Sequence, residues 1–278
     1  MKGKIYLVAT PIGNLEDITL RALKVLREVD LIAAEDTRHT LGLLNHFEIS
    51  KPLISYYKQN EKTKSNVLIE KVLEGKNIAI VSDAGTPGIS DPGEEIVKCA
   101  IEENIEIIPI PGACAFVNAL ISSGLPTKEF LFLGFLSAQN KERKEKLEEI
   151  KFENKTIILY EAPHKLKKCL ETILEILGDR KIVLARELTK IHEEFIRGNV
   201  SDILKQLDEI KGEFVVLVEG SSKTENEEKK DNLKKLSLEE HYEYYSSKGF
   251  NKKDIIKQIA KDRGLNKNEI YQYFLNKE

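Results

Sequence analysis

The stretch IAIVSDAGTPGISDPGEE, residues 78–95, indicates how the first half of the chain folds. It opens with the small and branched apolar residues 78–81, which are typical of a buried strand in a parallel sheet. A loop rich in Gly and Pro follows, and the amphipathic pattern of residues 94–102 then predicts a helix. Strand, loop and helix in this order predict one unit of a wound α/β domain.

The same alternation continues on both sides of this stretch. Further short apolar runs predict strands at residues 5–9, 31–34 and 105–109. Helical spacing of apolar residues separates them, at residues 17–29 and 64–73. We therefore predict an N-terminal α/β domain over residues 1–124, ended by Gly124, Leu125 and Pro126.

A second series of apolar runs predicts a second α/β domain over residues 125–220. Its expected strands are residues 130–135, 156–160, 181–185, 195–197 and 214–218. The later runs follow one another closely, so this sheet is expected to be mixed rather than wholly parallel.

The last part of the chain differs in composition. Residues 221–235 contain nine charged residues in fifteen, which predicts a solvated, mobile linker. Three short helical patterns follow, at residues 237–247, 252–263 and 266–275. They predict a small helical module over residues 236–278.

Composition narrows the possible functions. The formal net charge of −3 gives no overall attraction to nucleic acid, so RNA binding would need a local basic face. Cys99, Cys114 and Cys169 form no CxxC pair, and the five histidines form neither HxH nor HExxH, so we expect no disulfide framework and no metal site. No apolar stretch approaches the ~20 residues that span a bilayer, and the chain starts without a signal-like segment. We expect no membrane contact and a cytoplasmic protein.

Three loops rich in Gly and Pro each follow a predicted strand of the first domain. They are TPIGNLEDIT (residues 10–19), SDAGTPGISDPGEE (82–95) and PGACA (111–115). Ligands of open α/β sheets bind beyond the carboxyl ends of the strands, where glycines allow close approach of the backbone. Each loop alone would suit an ordinary turn, but the three together favour a ligand site. Neither GxxxxGK[ST] nor GxGxxG occurs, which argues against an NTPase or a dehydrogenase.

Six motifs in order carry a family resemblance. They are TPIGNLEDIT, AAEDTRHT (33–40), SDAGTPGISDPG (82–93), IPGACA (110–115), YEAPHK (160–165) and ARELTKIHEE (185–194). The chain resembles the tetrapyrrole-methylase-like superfamily and, within it, the 16S rRNA (cytidine-2'-O)-methyltransferases. The resemblance runs to about Gly220, and the last forty residues look like a helical module that some members carry.

This resemblance implies an α/β protein with two domains of the tetrapyrrole methylase fold and S-adenosylmethionine in the cleft between them. It also implies a homodimer that methylates a cytidine 2'-hydroxyl in the decoding region of 16S rRNA, on free rRNA or on the small ribosomal subunit. The implied cofactor-binding residues are Thr10, Pro11, Ile12, Gly13, Asp83, Ala84, Gly85, Gly88, Ile89, Pro111, Gly112, Ala113, Cys114, Tyr160, Glu161 and Arg186. Cys114 stands where the family often has Ser, so a hydroxyl contact is not expected there.

Methyl transfer from a sulfonium to a ribose oxygen needs alignment, desolvation and removal of a proton, and it requires no metal. Glu35 or Asp36 is a candidate proton acceptor, with Glu187 as a third. Arg38 and Lys190 are candidate phosphate ligands. The alternative is that these groups form ion pairs that only shape their loops.

Two further features have both a functional and a structural interpretation. Tyr56 and Tyr57 could stack on bases or pack on the sheet edge. The module cations Lys252, Lys253, Lys257, Lys261 and Arg263 could dock on RNA or form a solvated face.

Two other functions stay open on the sequence alone. One is a methylase of the same fold that acts on a small molecule, which a closed apolar cleft would favour over an open positive one. The other is an RNA-binding assembly protein that has lost cofactor binding.

Overall fold

The computed structural model describes residues 1–207, 212–224 and 232–275. The chain forms two compact units, one of residues 1–149 with 155–219 and the other of residues 150–154 with 220–278. Both sheets belong to the first unit. None of the helices in the described ranges is both long and apolar enough to cross a membrane.

The first sheet has five strands, all parallel, in the order β3-β2-β4-β1-β5. They are β1 (Lys4–Val8), β2 (Leu31–Ala34), β3 (Leu53–Ser55), β4 (Ile78–Val81) and β5 (Glu106–Ile110). The central strand β4 is buried along its whole length, as its unbroken apolar run predicts. The edge strand β3 was not predicted, because three residues ending in a polar Ser give too short an apolar run.

Five helices follow the strands of this sheet, of which the first four pack on it and the fifth packs against the second sheet. They are α1 (Leu20–Glu28), α2 (Thr37–His46), α3 (Glu61–Leu73), α4 (Glu94–Glu102) and α5 (Ala115–Ser123). The helix predicted over residues 17–29 begins only at Leu20, because the Thr19 hydroxyl accepts the N–H of Ala22 as an N-cap. A separate 3-10 turn occupies Leu15–Asp17.

The second sheet is mixed, as predicted, in the order β6-β7-β10-β8-β9. Its strands are β6 (Phe130–Phe135), β7 (Thr156–Glu161), β8 (Lys181–Arg186), β9 (Glu194–Asn199) and β10 (Phe214–Val218). β6 and β7 are parallel, and the other neighbours are antiparallel. Its helices are α6 (Asn140–Glu149), α7 (Pro163–Leu177) and α8 (Val200–Gln206).

The second unit contains α9 (Leu238–Ser246), α10 (Lys252–Arg263) and α11 (Lys267–Leu275). Ser237 and Glu240 form a capping box at the start of α9, and Gly264 ends α10 with a φ of 69°. An apolar cluster around Ile256, Ile259 and Ile270 forms its core.

Two expectations for this region need correction. Residues 232–235 form a helical turn in which Leu233 is buried, so the end of the predicted linker is structured. Residues 225–231, the middle of that linker, lie outside the described residues. Arg263 does not belong to a solvated basic face, because it donates to His241 Nδ1 at 3.2 Å and to the Ser237 carbonyl at 3.0 Å.

Candidate active site

The three glycine-rich loops lie side by side, because β4, β1 and β5 are neighbours in the sheet and all are parallel. Thr10 and Gly85 exchange two backbone hydrogen bonds, of 2.9 and 3.0 Å. The Thr86 hydroxyl donates to the Ala113 carbonyl at 3.0 Å. The loops are thus joined into one continuous edge.

A cavity of about 450 Å³ lies between these loops and the second sheet. Its apolar and aromatic wall includes Ile12, Ile89, Phe135, Tyr160, Leu188 and Val215. The Tyr160 hydroxyl accepts the N–H of Phe116 at 3.3 Å, which holds this ring in position at the start of α5. A pocket of this size, with an apolar wall and a few polar groups, suits a small organic ligand.

Two glycines at this edge are closely surrounded by neighbouring atoms. Gly85 has a φ of +84°, and a Cβ there would lie 3.3 Å from Ile12 Cγ2. At Gly13 a Cβ would lie 2.5 Å from Lys190 Cγ. The loop after β8 therefore passes directly over the loop after β1.

Six carboxyl groups line the same cavity: Glu35, Asp83, Asp91, Glu161, Glu187 and Glu213. Burial and then the nearby Asp83 raise the pKa of Glu35. Burial, followed by the charges of Glu35, Asp83 and Glu213, raises the pKa of Asp91 to about 7. Within the described part of the chain, no group of three or more His, Cys, Asp and Glu side chains is arranged to hold a metal ion.

Glu187 and Lys190 also line the cavity, and they are paired. Lys190 Nζ donates to Glu187 Oε1 at 3.0 Å, and the Glu213 N–H donates to the same oxygen at 3.2 Å. Burial alone would raise the pKa of Glu187, but these two hydrogen bonds, together with the charges of Lys190 and Arg186, outweigh it and lower that pKa. Glu187 is therefore ionised and already hydrogen-bonded.

Asp36 and Arg38 form an exposed ion pair instead of entering this cavity. Asp36 is the N-cap of α2 and accepts the Arg38 N–H at 2.8 Å, and Arg38 Nη2 lies 3.3 Å from Asp36 Oδ2. The hydrogen bonds from Arg38 lower the pKa of Asp36. Asp36 lines neither of the two cavities of this region, which leaves it poorly placed to accept a proton there.

A second groove of about 700 Å³ adjoins the cavity and shares several lining residues with it. Its lining residues are Thr10, Pro11, Ile12, Gly13, Leu15, Arg38, His39, Gly42, Leu43, Asp83, Ala84, Lys190 and Glu213. Two cationic side chains, Arg38 and Lys190, and two carboxyl groups, Asp83 and Glu213, line it. The groove is mixed in charge and not uniformly positive.

Most of the predicted site residues line the cavity or the groove, but six of them line neither. The predicted residues that line neither are Asp36, Gly88, Pro111, Gly112, Ala113 and Arg186. Arg186 pairs with Glu194 at 3.3 Å, and a Cβ at Gly112 would lie 2.8 Å from the Ala9 Cβ. The roles predicted for these six positions stay predictions.

Sequence reasoning missed some lining residues and misjudged one aromatic. Asp91 and Ser90 lie in the quoted loop but were not singled out, and Phe135 and Glu213 carried no motif. Tyr56 does not stack on bases, because it is fully buried and its hydroxyl is 3.2 Å from both Glu61 and Ser65.

Comparison with known proteins shows first to which class of proteins the chain belongs. A sequence profile described as Tetrapyrrole (Corrin/Porphyrin) Methylases matches residues 4–204. The crystal structure of uroporphyrin-III C-methyl transferase from Thermus thermophilus, complexed with S-adenosyl homocysteine, aligns with a TM-score of 0.56 at 17% identity, over 78% of this chain and 97% of that one. The chain has the fold of the tetrapyrrole methylase class.

Similarity to named relatives then identifies one family within this class. The chain is 52% identical to "Ribosomal RNA small subunit methyltransferase I" of Halalkalibacterium halodurans, over 98% of this chain and 95% of the relative. It is 49% identical over 220 residues to the protein of that name from Thermotoga maritima, which is 78% of this chain and 99% of the relative. The chain belongs to the ribosomal RNA small subunit methyltransferase I family.

Proposed function

We propose that the chain uses S-adenosylmethionine to methylate the ribose 2'-hydroxyl of a cytidine in the decoding region of 16S rRNA, as a cytoplasmic homodimer. The observation that carries this proposal is the 52% identity, along 98% of the chain, to a relative named as a small-subunit rRNA methyltransferase. The cytidine and its 2'-hydroxyl come from the family resemblance of the six loop motifs.

The cavity suits S-adenosylmethionine in size and chemistry. Its volume of about 450 Å³ falls within the range of ligand pockets, and its apolar wall suits an adenosine group. Its carboxyl groups complement the positive sulfonium and ammonium groups of the cofactor. Residues proposed to hold it are Ile12, Asp83, Ala84, Gly85, Ile89, Cys114, Tyr160 and Glu161.

Burial raises the pKa of the Cys114 thiol, so this side chain stays neutral in the cavity. The cofactor supplies the methyl group in this proposal, and the chain supplies alignment and a site from which water is excluded.

The second groove is the proposed binding path of the RNA. The carboxyl groups of the cavity repel phosphates, so the RNA backbone would remain outside, near Arg38, His39 and Lys190. The Arg38 side chain is 91% exposed and can reach a phosphate in addition to Asp36. Only a ribose and its base would then need to enter the cavity.

A small-molecule methylase is the weaker alternative. Solved tetrapyrrole methylases such as the Thermus thermophilus enzyme share 17% identity with the chain, compared with 52% for the rRNA relative. A non-enzymatic assembly protein is disfavoured by a cavity whose loops and glycine positions leave space for a ligand.

Two measurements on the purified chain test the proposal. Calorimetry should detect binding of S-adenosylmethionine, and radiolabelled methyl should pass to small ribosomal subunits isolated from cells lacking this protein. Binding without transfer to rRNA would support the assembly-protein alternative. No binding at all would overturn the proposal.

A further inference from the structure

We propose that the ring of Phe135 is the platform on which the base of the target cytidine stacks while its ribose is methylated. This inference rests on the function proposed above and adds a residue that binds the substrate. Phe135 lies at the end of β6, lines the cavity and belongs to none of the six loop motifs.

An irregularity in β6 sets the face of the sheet on which Phe135 lies. Phe132 pairs with Ile158 of β7. Phe135 pairs with Tyr160, so three steps along β6 match two steps along β7. One extra residue in a strand is a β-bulge, and it moves the next side chain to the other face. Phe135 is thereby on the face of Phe132 and Tyr160, which packs against α5.

Gly134 makes this bulge possible. Its φ is +62°, a left-handed conformation that favours glycine, and a Cβ there would lie 3.0 Å from Ser90 Oγ. β-Bulges occur often beside active sites, where they change the direction of one side chain. The backbone at the end of β6 therefore places Phe135 at the cavity instead of on the opposite face of the sheet.

The ring of Phe135 ends a row of aromatic side chains in contact. Its centroid lies 5.5 Å from that of Tyr160, with the two ring planes at 58°. Tyr160 in turn meets Phe132 edge to face at 5.1 Å, and Phe132 stacks on Phe116 at 4.5 Å. Aromatic pairs in these geometries stabilise one another. The row gives Phe135 a packed support on the side of Tyr160.

Phe135 differs in exposure from the deeper wall of the cavity. It is 62% exposed, whereas Leu188 and Val215, which line the same cavity, are buried. A cofactor enclosed in the cavity would contact the buried residues. A group that enters from solvent meets Phe135 first. The exposed ring therefore suits the substrate better than it suits the adenine of the cofactor.

The charge of the cavity also favours a base over other parts of the RNA. Its six carboxyl groups repel phosphates, but a cytosine base is neutral at pH 7. Aromatic side chains stack on the bases of unpaired nucleotides, since every base has a flat π surface. A base held on Phe135 would keep its ribose at the cavity, and this alignment with the methyl donor is what the reaction needs.

Phe135→Ala tests this role, because it removes the ring and leaves the backbone conformation accessible. We expect kcat/KM for small subunits to fall about 10- to 100-fold, the effect of one lost stack, with affinity for S-adenosylmethionine within about threefold of wild type. Phe135→Tyr should retain most of the activity. Phe135→Leu should not, because leucine is apolar but has no flat surface.

Phe130→Ala is the matched control. Phe130 is an exposed phenylalanine at the other end of β6, and it does not line the cavity. Its replacement should leave kcat/KM within about threefold of wild type. The comparison separates loss of a ring at the cavity from loss of an aromatic side chain on the same strand.

A second measurement does not depend on turnover. The sequence contains no tryptophan, so Phe135→Trp introduces a single indole fluorophore at the proposed platform. With S-adenosyl homocysteine bound, a short single-stranded oligocytidylate should quench its emission by stacking. The same oligonucleotide should leave the emission of Phe130→Trp nearly unchanged.

Four outcomes would overturn the proposal. Phe135→Ala or Phe135→Leu could retain wild-type kcat/KM, or oligocytidylate could fail to quench Phe135→Trp more than Phe130→Trp. Loss of affinity for S-adenosylmethionine in Phe135→Ala would make the ring a contact of the cofactor instead. A wild-type enzyme that transfers no methyl to rRNA would overturn the proposed function itself, whereas the first three outcomes leave that function standing.

Discussion

Gly85 illustrates how much of the site depends on single positions. Its φ of +84° strains any side chain, and its added Cβ would already lie in tight contact with Ile12 Cγ2 at 3.3 Å, before the branches of a larger side chain are added. We predict that Gly85→Val lowers the affinity for S-adenosylmethionine at least tenfold, about 1.4 kcal/mol, in calorimetry.

The matched control for this change is Gly178→Val. Gly178 has nearly the same φ, +86°, but no atom lies within 4 Å of its added Cβ. This variant carries the same kind of backbone strain outside the cavity and should bind the cofactor normally. Equal loss of affinity in both variants would mean that strain, and not intrusion into the site, causes the effect.

Lys190 tests the RNA side of the account. Lys190→Ala should raise KM for the small subunit and reduce the slope of log affinity against log salt by about 0.7–0.9, the effect of one lost phosphate contact. Cofactor affinity should change little. Lys205→Ala removes an exposed lysine that pairs with Asp202 at 3.2 Å on α8, and it should leave both quantities unchanged. An unchanged salt slope in Lys190→Ala would contradict a phosphate contact.

The sequence alone does not show which carboxylates reach the cavity. Asp36 follows Glu35 directly, yet Glu35 lines the cavity while Asp36 caps α2. Asp91 was not singled out, because the loop that contains it was interpreted from its Gly and Pro residues. Local spacing does not report which side chain meets groups distant in sequence, such as Glu213.

Helices and strands could be predicted from the sequence more fully than contacts between distant residues. Unbroken branched runs such as Ile78–Val81 identified the buried strands, because strands covered on both faces need apolar residues throughout. The failures came from short or capped segments: Leu53–Ser55 is too short for a pattern, and Thr19 starts α1 later than its periodicity suggests.

The helical unit contains a buried network that predicts pH-dependent stability. His241 has no exposed side-chain surface, accepts from Arg263 through Nδ1 and lies 3.4 Å from Asp262 through Nε2. Burial first, and then the charge of Arg263, lower the pKa of His241. The unfolded chain therefore binds a proton at a higher pH, near 6.5, than the folded unit does.

We predict that this unit loses stability as the pH falls below about 6.5, down to the lowered pKa of folded His241. The hydrogen-exchange protection factors of amides in α10, which are corrected for the intrinsic exchange rate, should fall over this range. His241→Gln should remove this dependence. Protection factors that stay constant from pH 7 to 5 in wild type would contradict a neutral buried histidine.

At the scale of the whole molecule, the cavity and groove lie in the first unit. The Thermotoga maritima relative reaches 99% of its own length over 220 aligned residues, so a protein of that name needs no counterpart to about a fifth of this chain. We predict that a chain ended after residue 221 still binds S-adenosylmethionine with affinity within about threefold of the full chain.

Calorimetry on the shortened chain checks this prediction, with circular dichroism as the control for folding. A folded shortened chain that fails to bind would mean that the helical unit contributes to the site. If the shortened chain binds the cofactor but has a higher KM for the small subunit, the helical unit assists with the substrate.

Nucleoside mass spectrometry of 16S rRNA tests the central claim most directly. In cells lacking this protein, one cytidine of the decoding region should lose its 2'-O-methyl group, and wild-type protein but not Gly85→Val should restore it. An unchanged methyl level in the deletion cells, or full restoration by Gly85→Val, would contradict the account.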